Sequence, residues 1–202
     1  MLEPPRKPGR FIPVVEACRE CNGGFSLDEE YLACLLECVM AGTTEIKGLV
    51  REKVRLALSR NPRLAAQLEA CRLDDDSGRP WLRPDETRVR NVVMKLAKGH
   101  TAYELSESWH DDPDVYWVRA IAAMSETERQ DFEAIGGGIQ RLWPELGSRA
   151  FLRVLGKSVP PTQAGKWLIV QPDRYRYAVD WQTGIDVRMV IGEYLACRVV
   201  WN

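Results

Sequence analysis

The sequence predicts an α+β protein with a small cysteine-turn element at the N-terminus, a helical middle and a C-terminal antiparallel sheet. Three observations lead there. From Leu27 to Glu107, apolar residues recur at helical spacing between recognisable caps. From Ala150 onward the runs become β-branched and aromatic and are punctuated by turn residues. Helices therefore come first and strands later, an order that fits α+β better than alternating α/β. The chain has 202 residues, so one domain or two small ones fit, since domains run to about 100–200 residues. Three segments are expected, over 1–42, 43–110 and 111–202.

The first ten residues carry Pro4, Pro5 and Pro8 and read as extended. Phe11–Ala17 is apolar and β-branched and reads as a short strand. A turn over Cys18–Gly24 follows. Ser26-Leu27-Asp28-Glu29 is a capping box, in which Ser26 accepts from the Glu29 N–H and Glu29 reaches back. It predicts a helix over 27–41 that stops at Gly42. Thr44–Arg60 predicts a second helix, with Ile46, Leu49, Val50, Val54, Ala57 and Leu58 on one stripe. Asn61-Pro62 breaks it and opens a third helix that runs to about Leu73. Asp74–Gly78 is a solvated loop. Pro84-Asp85-Glu86 opens a fourth helix to about Glu107, with acids where the helix dipole favours them. Ser125-Glu126-Thr127-Glu128 predicts another cap and a short helix to about Ala134. Ala150–Leu155, Trp167–Gln171, Tyr175–Trp181 and Ile185–Trp201 predict an antiparallel meander, with a hairpin at Thr183-Gly184.

Lys and Arg number 28 against 29 Asp and Glu, for a net charge of −1. With no whole-chain field to hold a polyanion, any nucleic-acid surface must be a local patch. No apolar run reaches the roughly 20 residues a membrane helix needs, and the N-terminus has no apolar signal core, which predicts a soluble cytoplasmic protein with no membrane partner. Of the six cysteines, Cys18, Cys21, Cys34 and Cys38 fall close together. In a cytoplasmic chain that clustering points to metal or packing before disulfides. Cys18-Arg19-Glu20-Cys21 has the C-x-x-C spacing that lets two thiolates face one tetrahedral zinc. Cys34 and Cys38 are a candidate second pair, one helical turn apart. Cys34 nevertheless lies about 12 Å along the helix from Ser26, at ~1.5 Å per residue. The other reading makes both cysteines small buried apolar residues among Leu32, Leu35, Leu36 and Val39.

A strand, a C-x-x-C-N knuckle and a capped helix together resemble the second half of an HNH endonuclease, the ββα-metal module, over about residues 4–31. The resemblance rests on Pro4-Pro5-Arg6, on Phe11–Val14 and on Cys18-Arg19-Glu20-Cys21-Asn22-Gly23-Gly24-Phe25-Ser26. It implies a zinc-knuckle, treble-clef-like N-terminal element. It also implies that Cys18 and Cys21 are structural zinc ligands, and that Asn22 contacts a catalytic divalent metal such as Mg²⁺ or a phosphate. The family's first strand carries a histidine that activates water, commonly in a D/E-H-x-P-P context. Here Leu2 stands in the histidine's register with Glu3 beside it, and the family's central Asn falls near Arg10 or Phe11. The resemblance therefore implies a metal-dependent endonuclease if the histidine-bearing strand is supplied from upstream. As the chain stands, it implies a catalytically impaired nucleic-acid-associated protein.

His100 is the candidate replacement base, with Glu104 one turn on to orient it or share a metal. The competing reading is packing, since Val89, Val93, Leu96, His100 and Tyr103 share a stripe. His110, beside Asp111 and Asp112, reads as a solvated loop residue. Asp28, Glu29 and Glu30 have the chemistry for Mg²⁺ but stand where acids serve a helix start. Residues 44–72 carry Lys47, Arg51, Lys53, Arg55, Arg60, Arg63 and Arg72 against three acids, and Arg83, Arg88, Arg90, Lys95 and Lys98 follow. Arg51, Arg55 and Lys95 are the candidate contacts to DNA or RNA phosphates. A solvated, salt-bridged face is the alternative. Trp143, Trp167, Trp181 and Trp201 read as core residues before stacking platforms. The competing function is a non-enzymatic interaction module, with a structural knuckle and a sheet that binds a protein partner.

Overall fold

A computed structural model describes residues 15, 19–73, 81–136 and 143–202; for 19–25, 73, 81 and 82 the backbone is described. The chain gathers into two compact units, Ala17–Val93 and Met94–Asn202. Among the described residues no helix is long and apolar enough to cross a membrane.

The N-terminal unit is helical. It contains α1 (Arg19–Ala41), a 3-10 turn at Ile46–Gly48, α2 (Glu52–Arg60), α3 (Pro62–Ala70), a two-stranded ladder of β1 (Arg72–Leu73) with β2 (Trp81–Leu82), and the first turns of α4 (Glu86–Leu105). Val54 with Leu58, and Leu64 with Leu68, sit at i, i+4 and are buried, as are Tyr31, Leu32, Leu35 and Leu36 of α1 and Val89, Val92 and Val93 of α4. Asn61 caps α3 by accepting from the Leu64 N–H at 3.1 Å, with Pro62 in the first turn, where a missing N–H costs nothing. Polar contacts join α1 to the start of α4. Asp28 accepts from Arg88 Nε at 2.7 Å and from Asn91 Nδ2 at 2.9 Å, and the Tyr31 hydroxyl accepts the Asp85 N–H at 2.8 Å.

Two expectations for this unit are corrected. The Ser26 capping box does not start a helix, because α1 already runs from Arg19 and carries Ser26 in its interior; Asp28 is turned to Arg88 and Asn91 instead. Thr44–Arg60 is not one helix. Leu49 and Arg51 are extended (ψ 140° and 114°), because the Glu37 carboxylate accepts the N–H groups of Val50 at 2.9 Å and Arg51 at 2.7 Å, and α2 begins only at Glu52.

The C-terminal unit is built on a six-stranded antiparallel sheet with strand order β3-β8-β7-β6-β5-β4. The strands are β3 (Val115–Ala120), β4 (Thr162–Ala164), β5 (Trp167–Gln171), β6 (Tyr175–Asp180), β7 (Ile185–Ile191) and β8 (Leu195–Trp201). Strand alternation sends Tyr175 and Tyr177 to the face that meets α4, and Ala178 to the opposite face. There Ala178, Val190 and Ala196 pack with Phe132, Ile135 and Trp167. The short helix α5 (Glu126–Glu133) supplies Phe132 and starts with the expected Ser125/Glu128 capping box. The β6–β7 hairpin falls at Thr183-Gly184 as expected, and Gly184 is required there: a Cβ would lie 2.5 Å from the Trp201 carbonyl oxygen.

Three further differences concern this unit. Ala150–Leu155 is not a strand; Arg149–Val154 forms α6, because Ser148 accepts the Phe151 N–H at 3.1 Å and Gly156, at φ 73°, closes the far end. Ile185–Trp201 is two strands, folded back at Gly192 (φ 65°). Strand β3, which no sequence pattern announces, is the outermost partner of β8.

Candidate functional site

The knuckle expected at 18–21 falls largely outside the described side chains. Cys18 is not among the described residues, and the backbone of Cys21 and Asn22 belongs to the beginning of α1. Among the described residues, no group of three or more His, Cys, Asp or Glu converges as a metal site. Cys34 and Cys38 are free thiols, each 1% exposed. Burial pushes their pKa values up to about 12 and about 11. A metal ligand needs a thiolate, so this environment favours the packing reading.

The basic candidates separate by exposure. Arg51 is largely buried beside Glu37, with Nε 4.0 Å from the carboxylate, and Arg55 donates to the Leu49 carbonyl at 3.3 Å. Lys95 lies in the other unit, half-buried on α4. Among the described residues of 44–72, the cations that face solvent are Lys47, Lys53, Arg60, Arg63 and Arg72, the last ion-paired with Glu69. The reading of 44–72 as a basic segment named these too, but spacing alone does not reveal which guanidinium a buried carboxylate will hold.

His100 and Glu104 sit on one face of α4, one turn apart. His100 is 5% exposed. Its ring stacks on Tyr177 with centroids 3.6 Å apart, and Nε2 shares a 2.5 Å hydrogen bond with the Tyr175 hydroxyl. Burial lowers its pKa to about 3, so the imidazole is neutral at neutral pH. Glu104 is 1% exposed, accepts from the Tyr177 hydroxyl at 2.5 Å and is ion-paired with Arg153. Burial, then the Glu104 charge, push the Tyr177 phenol far up, so it remains a donor. His100 therefore bonds Tyr175 from the sheet, Glu104 pairs with Arg153 from α6, and Tyr177 contacts both, at sequence separations that no local pattern exposes.

Other candidates are also placed. His110 is exposed, and its carbonyl accepts from Lys98 Nζ at 2.8 Å. Trp167 and Trp201 are core residues, Trp143 is exposed, and Trp181 is half-buried. Trp181 borders a cavity of about 310 Å³ within the C-terminal unit, together with Glu104, Arg153, Lys166, Asp180 and Leu168. Sequence reasoning missed this cavity, because its walls come from α4, α6 and the ends of β5 and β6.

In comparisons with known proteins, the chain matches no family model, no curated protein and no solved structure.

Proposed function

We propose that the chain is an HNH-nuclease-like, nucleic-acid-associated protein, impaired in catalysis as it stands. The observation that carries the reading is the run Cys18-Arg19-Glu20-Cys21-Asn22, of which Arg19–Asn22 form the first turn of α1. In this reading Cys18 and Cys21 hold a structural zinc, and Asn22 contacts a divalent metal such as Mg²⁺ or a phosphate. Phosphodiester hydrolysis also needs a base that water can reach. His100 has the right side chain, but it is buried, bonded to Tyr175 and stacked on Tyr177, so its role is packing. Phosphate contact falls to the exposed Lys47, Lys53, Arg60 and Arg63, with Arg51 and Arg55 as supports and Lys95 on the other unit. The free thiols at Cys34, Cys38, Cys71 and Cys197 fit a cytoplasmic setting.

Elemental analysis of protein purified without chelator tests the knuckle. The expected result is bound zinc that Cys18→Ser removes while Cys34→Ser retains it. Zinc-free protein, or zinc lost equally in both variants, overturns the knuckle. With Mg²⁺ or Mn²⁺ the chain is expected to cleave DNA little or not at all, and robust cleavage abolished by Asn22→Ala or His100→Ala would contradict the impairment.

A second reading, a non-enzymatic protein-interaction module, is favoured by exposed apolar side chains in the N-terminal unit. Val50 is 81% and Leu56 45% exposed.

A further inference from the structure

The cavity in the C-terminal unit has a composition of its own. Its volume, about 310 Å³, is at the small end of ligand pockets, which run to about 300–1,000 Å³. Ile135, Ala150, Leu168 and Val179 give it apolar wall. Glu104 and Arg153 also border it, but they neutralise each other, and Glu104 is held by Tyr177 as well. That pair is committed to the fold.

Lys166 and Asp180 differ. Both line the cavity, at the β4–β5 turn and the end of β6, and among the described residues they form no direct ion pair with each other or with another side chain. The Lys166 side chain runs past Gly136, and the residue is exposed. Asp180 accepts the Trp181 backbone N–H and is half-buried. Burial raises its pKa, while the nearby Lys166 charge pulls it back. The wall at Trp181 carries one more unmet group, an indole N–H buried without an acceptor.

One cation and one anion, each without a direct partner, bordering a single apolar-walled space select against a singly charged guest. An anion would be repelled by Asp180 and a cation by Lys166, whereas a molecule carrying both charges matches both. We propose that this cavity binds a small zwitterion of the α-amino-acid class with an apolar side chain. The ligand carboxylate meets Lys166, its ammonium meets Asp180, and its side chain lies against Leu168 and Val179. The inference is independent of the cysteine motif, and the site lies wholly within the C-terminal unit.

The test is calorimetric titration of the full chain with L-leucine, L-methionine and L-phenylalanine, alongside N-acetyl-L-leucine and L-leucinamide, which each lack one charge. Saturable binding of at least one free amino acid is expected. The two blocked leucines should bind at least about tenfold more weakly than leucine, as loss of one charge-assisted contact implies. Asp180→Asn and Lys166→Met should each weaken binding to a similar degree, with circular dichroism showing that the variants are folded. No binding of any of the three amino acids overturns the proposal. So does equal binding of the blocked derivatives, or unchanged affinity in the folded variants. Lys166 is exposed, so Lys166→Met decides the matter even if Asp180→Asn does not fold.

Discussion

Each unit buries a carboxylate, and the two are held in different ways. Glu37 in the N-terminal unit is 3% exposed and takes its hydrogen bonds from backbone N–H groups 13 and 14 residues away. Glu104 in the C-terminal unit is 1% exposed and takes its bonds from side chains 49 and 73 residues away. The first arrangement is local: a carboxylate satisfies the free donors just before α2 and fixes where that helix starts. The second is global: one carboxylate joins α4, α6 and β6 through an arginine and a phenol. A buried charge is tolerated only when its lone pairs are met. The chain meets this requirement once through nearby backbone and once through tertiary structure, so the two sites should fail differently.

The largest effect is expected at Glu104. Glu104→Ala strands the Arg153 guanidinium in a site where it is 12% exposed, and chemical denaturation should show a loss of about 3–5 kcal/mol. Glu104→Leu combined with Arg153→Leu should recover much of that loss, because it removes both charges together. If the double variant is as unstable as the single one, the pair is not a coupled unit.

Glu37→Ala should cost less, about 2 kcal/mol, since the orphaned groups are two backbone donors near the surface. Amide hydrogen exchange should also show loss of protection confined to α2. An unchanged denaturation midpoint would show that water replaces the carboxylate.

His100 gives the C-terminal unit a pH dependence of its own. Its folded pKa is lowered by burial from 6.5 to about 3, so the unfolded chain takes up the proton first as pH falls. Its contribution is therefore complete above pH 6.5 and is lost as pH falls from 6.5 towards about 3. Against His100→Phe, the native chain should lose on the order of 1 kcal/mol more per pH unit across that window. Parallel stability curves for the two proteins would place the imidazole in contact with water.

The smallest change expected is at the α5 cap. Ser125→Ala should cost about 1 kcal/mol, as loss of an N-cap acceptor does, and should leave the pH response of the core unmoved. A larger loss would mean that α5 anchors the Phe132 face more strongly than a cap does.

Local chemistry decided what the sequence made legible. Asn61-Pro62, Pro84-Asp85-Glu86 and the Ser125 box each announce a helix start within four residues, and helices do start there. Tyr175–Asp180 and Trp167–Gln171 declare themselves as strands by their β-branched and aromatic content. Arg149–Val154 misleads, because Ala-Phe-Leu-Arg-Val suits either period over so short a run, and the Ser148 cap decides it. The helix expected from Thr44 fails because the Glu37 carboxylate, on the preceding helix, takes the N–H groups of Val50 and Arg51. The packing role of His100 is legible from its stripe, but Tyr175, Tyr177 and Arg153 are not, because no spacing brings residues from α4, β6 and α6 together. The cavity is hidden for the same reason.

The most direct test of the proposed function is the salt dependence of duplex DNA binding by the full chain, followed by fluorescence anisotropy. Affinity is expected to fall linearly on a log–log plot, with a slope of about −0.9 per phosphate contacted. Replacing Lys53, Arg60 and Arg63 with alanine should flatten that slope without altering the denaturation midpoint, whereas Arg51→Ala should lower the midpoint. Absence of binding at low salt, or a slope untouched by the three exposed substitutions, would contradict a nucleic-acid-associated role and favour the protein-interaction reading.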